Sequence, residues 1–457
     1  MRGEEIQEMS NELNSFLFST PAMTSAFSAV RQLHSMMRFE WALMCALEQL
    51  GIAESGSGAV LGSLLDPNFV DEAEMESKAA KSGNIAIPFV RQLTATVKAK
   101  SEAAARAIHL GATSQDVLDT ALVLQMRDGL ELISAALARL DRALVKQVRL
   151  HSNTLMMGRT WLQAGPPTTL GLKLAGTLAA LRRHRERIDA AQHRAIVLQF
   201  GGAVGTLAAL GARGGEVAAA VARRLDLREA ETPWHTQRDS LVEMVAVLAG
   251  LTGTLAKFAR DIALLMQSEV AEVSEGGGEE RGGSSTMPHK HNPVACAAVI
   301  AANARMPGLA TTMLAAMPQE HERGLGLWQA EWETVPEAFR LTAAALAQAI
   351  EIAEGLEVNE ARMRANLDAA LGLPMAEAVS TALAPKVGRS AAYEILRNAA
   401  NQATDGKRHL SEVLKRMPEV TAHLSDVEID RLLVPDEYLS SAQRFIAQVL
   451  GDADADR

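Results

Sequence analysis

Along the chain, long stretches in which apolar residues recur every three or four positions alternate with short polar junctions that break the rhythm. From Leu118, the apolar positions Leu122, Met126, Leu130, Ile133, Leu137, Leu140, Leu144 and Val148 fall on one face of a helix about eight turns long. Its start is marked by Thr113 with Asp116 three residues on, a spacing that lets side chains satisfy the first free backbone N–H groups. A second run carries Leu170, Leu174, Leu178, Leu181 and Ile188, and a third Leu241, Val245, Leu248, Leu255, Phe258, Ile262 and Leu265. A fourth helix is predicted after Pro293, a residue suited to a first turn, and a fifth over about 333–354. Helices of this length, with wide apolar stripes, exceed the needs of one core and predict a bundle that also buries surface between subunits. The expectation is a homo-oligomer.

Gly355 and the Val358–Asn359 turn end the fifth helix, and shorter helical patterns follow to the C-terminus. The first 110 residues form another helical block. The predicted fold class is therefore all-α, with an N-terminal helical domain at 1–110, a central long-helix bundle at 111–356 and a C-terminal helical domain at 357–457. Composition agrees: only 4% of residues are aromatic, which favours packed helices over sheets built from aromatic and β-branched side chains.

Charge removes several function classes. With 45 basic and 55 acidic residues the net charge is −10, and no long basic stripe offers a surface to nucleic acid. The charge-free helical run Met244–Ala256 is too short to span a bilayer, so no membrane partner is expected. The acidic, polar start MRGEEIQEMSNEL reads as neither a signal nor a transit peptide, which points to the cytoplasm. Two cysteines, Cys45 and Cys296, cannot build a disulfide framework. The basic run Arg182–Arg187 reads as a solvated or ion-paired helix face. Gly201–Gly205 lacks phosphate-loop spacing, and His289 with His291 lacks a third ligand, so neither a cofactor nor a metal is expected.

The richest junction runs from Gly282 to Pro293 and reads GGSSTMPHKHNP. Two glycines free backbone N–H groups, two hydroxyls follow, and Lys290 and Asn292 stand just before a helix N-terminus. Donors, a cation and a helix dipole together suit a developing oxyanion, and thus an anionic substrate.

This string resembles the signature loop of the fumarase/aspartase superfamily. The segments HLGATSQD at 109–116 and GRTWLQ at 158–163 resemble that family's two earlier active-site segments, in the right order. The resemblance implies an all-helical homotetramer of three-domain subunits, with active sites assembled from several subunits. Further strings, among them SGNIAIPFV, LQFGGAVGTLAALG, PWHTQRD and MPQEHERGLGLWQAEWET, look like the lactonising branch of the family. That branch closes 3-carboxy-cis,cis-muconate, or a close analogue, to a lactone during protocatechuate degradation, so the resemblance implies a cofactor-independent cycloisomerase acting on a small polycarboxylate.

In that reaction a carboxylate adds to a conjugated double bond and the carbon α to another carboxylate gains a proton. The aci-carboxylate on the way carries extra charge that oxyanion donors must hold. That task falls to Lys290, Asn292 and the N–H groups around Gly283–Ser285. By resemblance Ser284 transfers the proton, with Ser285 as the other candidate. His109, Thr113, Ser114, Gln115, Arg159, Thr160, Trp161, Gln237, Ser285 and Arg323 are the substrate-binding candidates, the arginines because a guanidinium grips a carboxylate bidentately. Thr113 could equally be a plain helix cap, and Arg323 could pair with Glu320 or Glu322. Trp161 stands where fumarate-releasing lyases of the family often carry a histidine acid, and an indole cannot replace that acid. The alternative is a β-elimination lyase releasing fumarate from a substituted succinate through the same loop.

Overall fold

A computed structural model describes residues 17–276, 282, 283, 287, 290–439 and 441–451. Helix α1 (Ala29–Gln49) is followed by short helices, among them Ala86–Lys98 and Glu102–Ala107. Five long helices then carry the chain: α2 (Ser114–Leu150), α3 (Leu170–Ala195), α4 (Asp239–Leu265), α5 (Val294–Ala316) and α6 (Leu327–Gly355). Shorter helices run from Glu360–Asp368 to Ala442–Leu450. The all-α expectation holds, and each predicted long helix is found. The last begins earlier than its apolar period, because its first turns carry a buried charged residue, Glu331, that interrupts the stripe.

The departure from helix lies at GRTWLQ. There β1 (Leu155–Thr160) and β2 (Gln163–Thr169) form an antiparallel hairpin, with Trp161 and Leu162 as its two-residue turn. Both turn residues take positive φ, 53° and 64°, the combination that matches strand twist in the tightest hairpins. Val273–Ser274 also pairs with Glu357–Val358.

Two compact units share the chain, each discontinuous in sequence: one comprises Met1–Leu137, His184–Gly253 and Ala298–Ala347, the other Ala138–Arg183, Thr254–Ala297 and Gln348–Arg457. The first is cored by Met36, Met37, Phe39, Leu43 and Leu47 of α1, with Phe27 against Phe339 at 5.1 Å and Phe39 edge-on to Phe200. Gly129, inside α2, is required there: a Cβ would come within 2.7 Å of the Phe339 ring. In the second unit Val379, Leu383, Leu396, Leu410, Leu414, Val420 and Ile429 form an apolar cluster among the C-terminal helices.

Measured by length and composition, α4 and α5 are each apolar enough to cross a membrane, which corrects the argument from Met244–Ala256, since that run is only part of α4. A helix apolar on every side belongs either in lipid or in the interior of a large assembly. In α4 the stripe residues Leu241, Val245, Leu248, Leu255, Phe258, Ile262 and Leu265 are buried by protein. Only 33% of the apolar window of α5 is covered within one chain, leaving Val294 and Leu314 exposed.

Candidate active site

In the first unit the structure brings three of the expected residues into one cradle. Arg323 Nε donates to Gln115 Oε1 and its Nη1 to Thr113 Oγ1, both at 2.7 Å. Arg323 therefore points at the start of α2, away from the ion pair with Glu320 or Glu322 that the sequence left open. Thr113 is only half of a helix cap. Its N–H donates to the Asp116 carboxylate at 2.9 Å, while its hydroxyl accepts from the arginine. Ser114 opens α2 beside them, half-buried. Burial lowers the pKa of Arg323, against the pull of Asp116 and Asp119 in the other direction. A guanidinium remains charged through any such shift, and the residue is half-buried.

Beneath the cradle lies a polar layer that motif reading missed. Asp116 is fully buried and accepts from Gly201 N (3.0 Å) and Gly202 N (2.9 Å), and it pairs with His235 Nε2 at 2.7 Å. Gly202 takes a positive φ and lies so close to the Gly111 carbonyl that a side chain would collide with it. Gln115, also fully buried, donates to the His235 carbonyl (2.8 Å) and to Asp119 Oδ2 (3.1 Å). Asp119 in turn receives both Nη atoms of Arg238 and the Trp328 indole N–H. Arg238 bridges Asp119 to Glu331, and all three side chains are shielded from solvent. Burial works against the charge of Arg238, but its two carboxylates outweigh that and hold its pKa above the ordinary value. For Glu331 burial is the largest influence and pushes its pKa up against the opposing pull of Arg238. Buried charges persist only when matched in this way. The sequence signal was present: Gln115, Asp116 and Asp119 put three polar residues on one otherwise apolar helix face.

His109 closes this region on the α1 side. Its φ is +57°, and Glu40 of α1, 1% exposed at its side chain, accepts from the His109 backbone N–H (3.1 Å) and pairs with Nδ1 (2.6 Å). Gln237 lies apart from the cradle's bonds: it is exposed and lines a cavity of about 450 Å³ with Trp234 and Asp239. Trp328 is buried and stacks edge-on against Trp332.

The second unit holds the other candidates. Both Nη atoms of Arg159 engage Glu272, at 2.9 and 2.6 Å, and Glu272 is fully buried, its Oε1 also accepting from Asn366 Nδ2 at 2.8 Å. Its forked face is thus filled by a protein carboxylate, and Arg159 ties the hairpin down. Thr160 is exposed at the end of β1. Trp161, at the tip, is 97% exposed. Such exposure for an indole, on a turn whose residues both take the left-handed backbone, marks a side chain displayed for something outside the chain.

The signature loop is closed at its base. Asn292 N and Nδ2 both donate to the Gly282 carbonyl, at 2.8 and 2.9 Å, and Gly283 bridges to His291. Glu275 receives the N–H groups of Ala295 (3.1 Å) and Cys296 (2.7 Å) in the first turn of α5. Lys290 is exposed and, with Asn292, Met287 and Glu360, lines a cavity of about 1160 Å³. Ser284 and Ser285 lie outside the described residues. Among the described residues no group of three His, Cys, Asp or Glu side chains is placed to hold a metal ion.

Comparison with known proteins finds relatives over nearly the whole chain. Residues 68–308 match the family described as lyase, and 372–449 the one described as adenylosuccinate lyase C-terminus. A 3-carboxy-cis,cis-muconate cycloisomerase of Pseudomonas aeruginosa is 48% identical across 97% of this chain and 96% of its own. One from Bradyrhizobium diazoefficiens is 44% identical over 96% of this chain and 98% of its own. The crystal structure of the 3-carboxy-cis,cis-muconate lactonizing enzyme from Pseudomonas putida superposes with a TM-score of 0.90 at 48% identity, covering 96% of this chain and 98% of that one. The chain belongs to the lyase family of the fumarase/aspartase superfamily, among the relatives named 3-carboxy-cis,cis-muconate cycloisomerase.

Proposed function

We propose that the protein is a cycloisomerase that lactonises 3-carboxy-cis,cis-muconate, or a close analogue, in the cytoplasm. The observation that carries this reading is the likeness, at 48% identity over nearly the full length, to enzymes bearing that name. A fumarate-releasing lyase is not favoured, and Trp161 stands where such an enzyme would carry its acid.

In the proposed reaction one carboxylate oxygen of the substrate bonds to a carbon of the diene, and the electron pair of that double bond moves onto the carbon α to another carboxylate. That carbon then takes a proton delivered by the enzyme and replaced from solvent, so the tricarboxylate plus one proton becomes the lactone dicarboxylate and no cofactor is called for. Arg323, Thr113 and Gln115 grip one carboxylate, with Ser114 and the first N–H groups of α2 behind them. Lys290 and the second amide hydrogen of Asn292 hold the aci-carboxylate as charge builds on it, and Ser284, or Ser285 in its place, moves the proton. Arg159 acts at one remove, by anchoring the hairpin that displays Thr160 and Trp161 as an apolar wall. Gln237 is assigned to the outer rim.

The oligomer belongs to this proposal. The displayed Trp161 and the uncovered apolar face of α5 need cover, and a homotetramer with sites shared among subunits supplies it. The test is to mix purified protein with 3-carboxy-cis,cis-muconate, with neither metal nor nucleotide, and to follow the conjugated-diene absorbance. Rapid loss with lactone formation is the expected result. A flat trace from folded protein would overturn the substrate assignment, and substituted succinates would then be screened for fumarate release.

A further inference from the structure

The contact between α1 and the first active-site segment has a role in the chemistry that neither the motif nor the relatives' names assign. His109 sits in the left-handed region, at φ +57°, a conformation a non-glycine residue holds only when its surroundings impose it. Glu40 imposes it by taking both the backbone N–H and Nδ1 of the same residue. The clamp also decides the state of the ring. A carboxylate 2.6 Å from Nδ1 keeps the proton there, so in the neutral ring Nε2 is a bare acceptor and only the imidazolium carries Nε2–H. Among the described residues no partner engages Nε2, and the ring keeps 19% of its surface open.

We propose that Glu40 is a positioning residue that turns His109 into a pH-gated donor for a substrate carboxylate. This rests on the polycarboxylate reading above. Below the histidine pKa, Nε2–H and a positive charge meet the carboxylate next to the permanent cation Arg323. Above it the same nitrogen offers a lone pair to an anion and the contact becomes repulsive. The charged groups facing the ring are Glu40 from α1 and Asp116 from the start of α2, with Arg323 reaching Thr113 four residues further on. Burial lowers the pKa of His109, but the two acids outweigh burial and hold it above its usual 6.5. The imidazolium pair with Glu40 is thus fully formed below that value and lost as pH rises through the raised one, and substrate affinity falls over the same range.

The test compares wild type, Glu40→Gln and Glu40→Asp by kcat and KM across the histidine titration range, with melting temperatures as the folding control. Glu40→Gln is expected to raise KM about tenfold at neutral pH, as loss of a charged supporting contact does, and to move the pH at which kcat/KM falls to lower values. At pH below both titrations the variant should bind as wild type does, and Glu40→Asp should restore part of the shift. A merely structural role for Glu40 would lower the melting temperature and leave the position of the pH limb unchanged, and that result overturns the proposal. Calorimetric binding of tricarballylate at the same pH values separates this from the substrate assignment. If muconate is not turned over but tricarballylate binding still shifts with pH between wild type and Glu40→Gln, the substrate assignment fails and the clamp stands. If wild type binds no tricarballylate, or binds it with the same pH dependence as Glu40→Gln, the clamp is refuted.

Discussion

The two units hold their candidate groups on opposite plans. In the first, the groups expected to hold substrate are locked before any ligand arrives: Arg323 rests on Thr113 and Gln115, Gln115 on Asp119, and Asp119 on a fully buried Arg238. In the second, the expected chemical groups stand at the surface. Lys290 is exposed, and Trp161 projects from a hairpin whose anchor, Arg159, is the only one of that segment's polar candidates held by a buried carboxylate among the described residues. The difference shows where precision comes from. A carboxylate cradle must be rigid to distinguish one anion from another, and a stack of buried, matched charges supplies that rigidity. A displayed indole and a displayed lysine gain their environment only when something else covers them.

The contrast breaks most severely at Arg238. Arg238→Met leaves Asp119 and Glu331 facing each other in the interior, and removing one partner of such a buried set costs about 3–5 kcal/mol. Denaturant unfolding should show that loss, and a change within about 0.5 kcal/mol, the range typical of surface positions, would mean that the buried stack does not support the cradle. Lys290→Met tests the opposite plan. The protein should keep wild-type stability while kcat falls by about 10²–10³-fold, the usual cost of removing an oxyanion donor; an unchanged kcat would remove Lys290 from the mechanism. Trp161→Ala should have the smallest effect on the isolated fold, within about 0.5 kcal/mol because nothing among the described residues covers the ring. Its kcat/KM should nonetheless drop, and full activity in this variant would deny the hairpin tip any place at the site.

Much of this was legible in the sequence, and the parts that were not share a cause. The long helices announced themselves through Leu122, Leu130, Leu137 and Leu144 or Leu248, Leu255 and Ile262, because packed bundles force a 3.6-residue period on the apolar positions. The hairpin at Leu155–Thr169 was hidden, since its turn uses Trp161 and Leu162 where local signals favour Asn and Gly. Thr113, Gln115 and Arg323 were picked out by residue type and motif, and they do meet. Arg159 was picked by the same reasoning, yet its fork is filled by Glu272, a carboxylate 113 positions away in the chain that no local pattern could pair with it. Glu40, Arg238 and Glu331 escaped for the same reason: each looks like an ordinary surface charge until the fold buries it against its partner.

The most direct measurement mixes two inactive variants. Arg323→Ala disables the locked cradle and Ser284→Ala removes the expected proton-transfer residue, so each alone should turn over little muconate. If sites are assembled from different subunits, denaturing and refolding the two together will create some sites with both halves intact, and activity will return to a fixed fraction of wild type. A refolded mixture as inactive as its parents would contradict the shared-site reading.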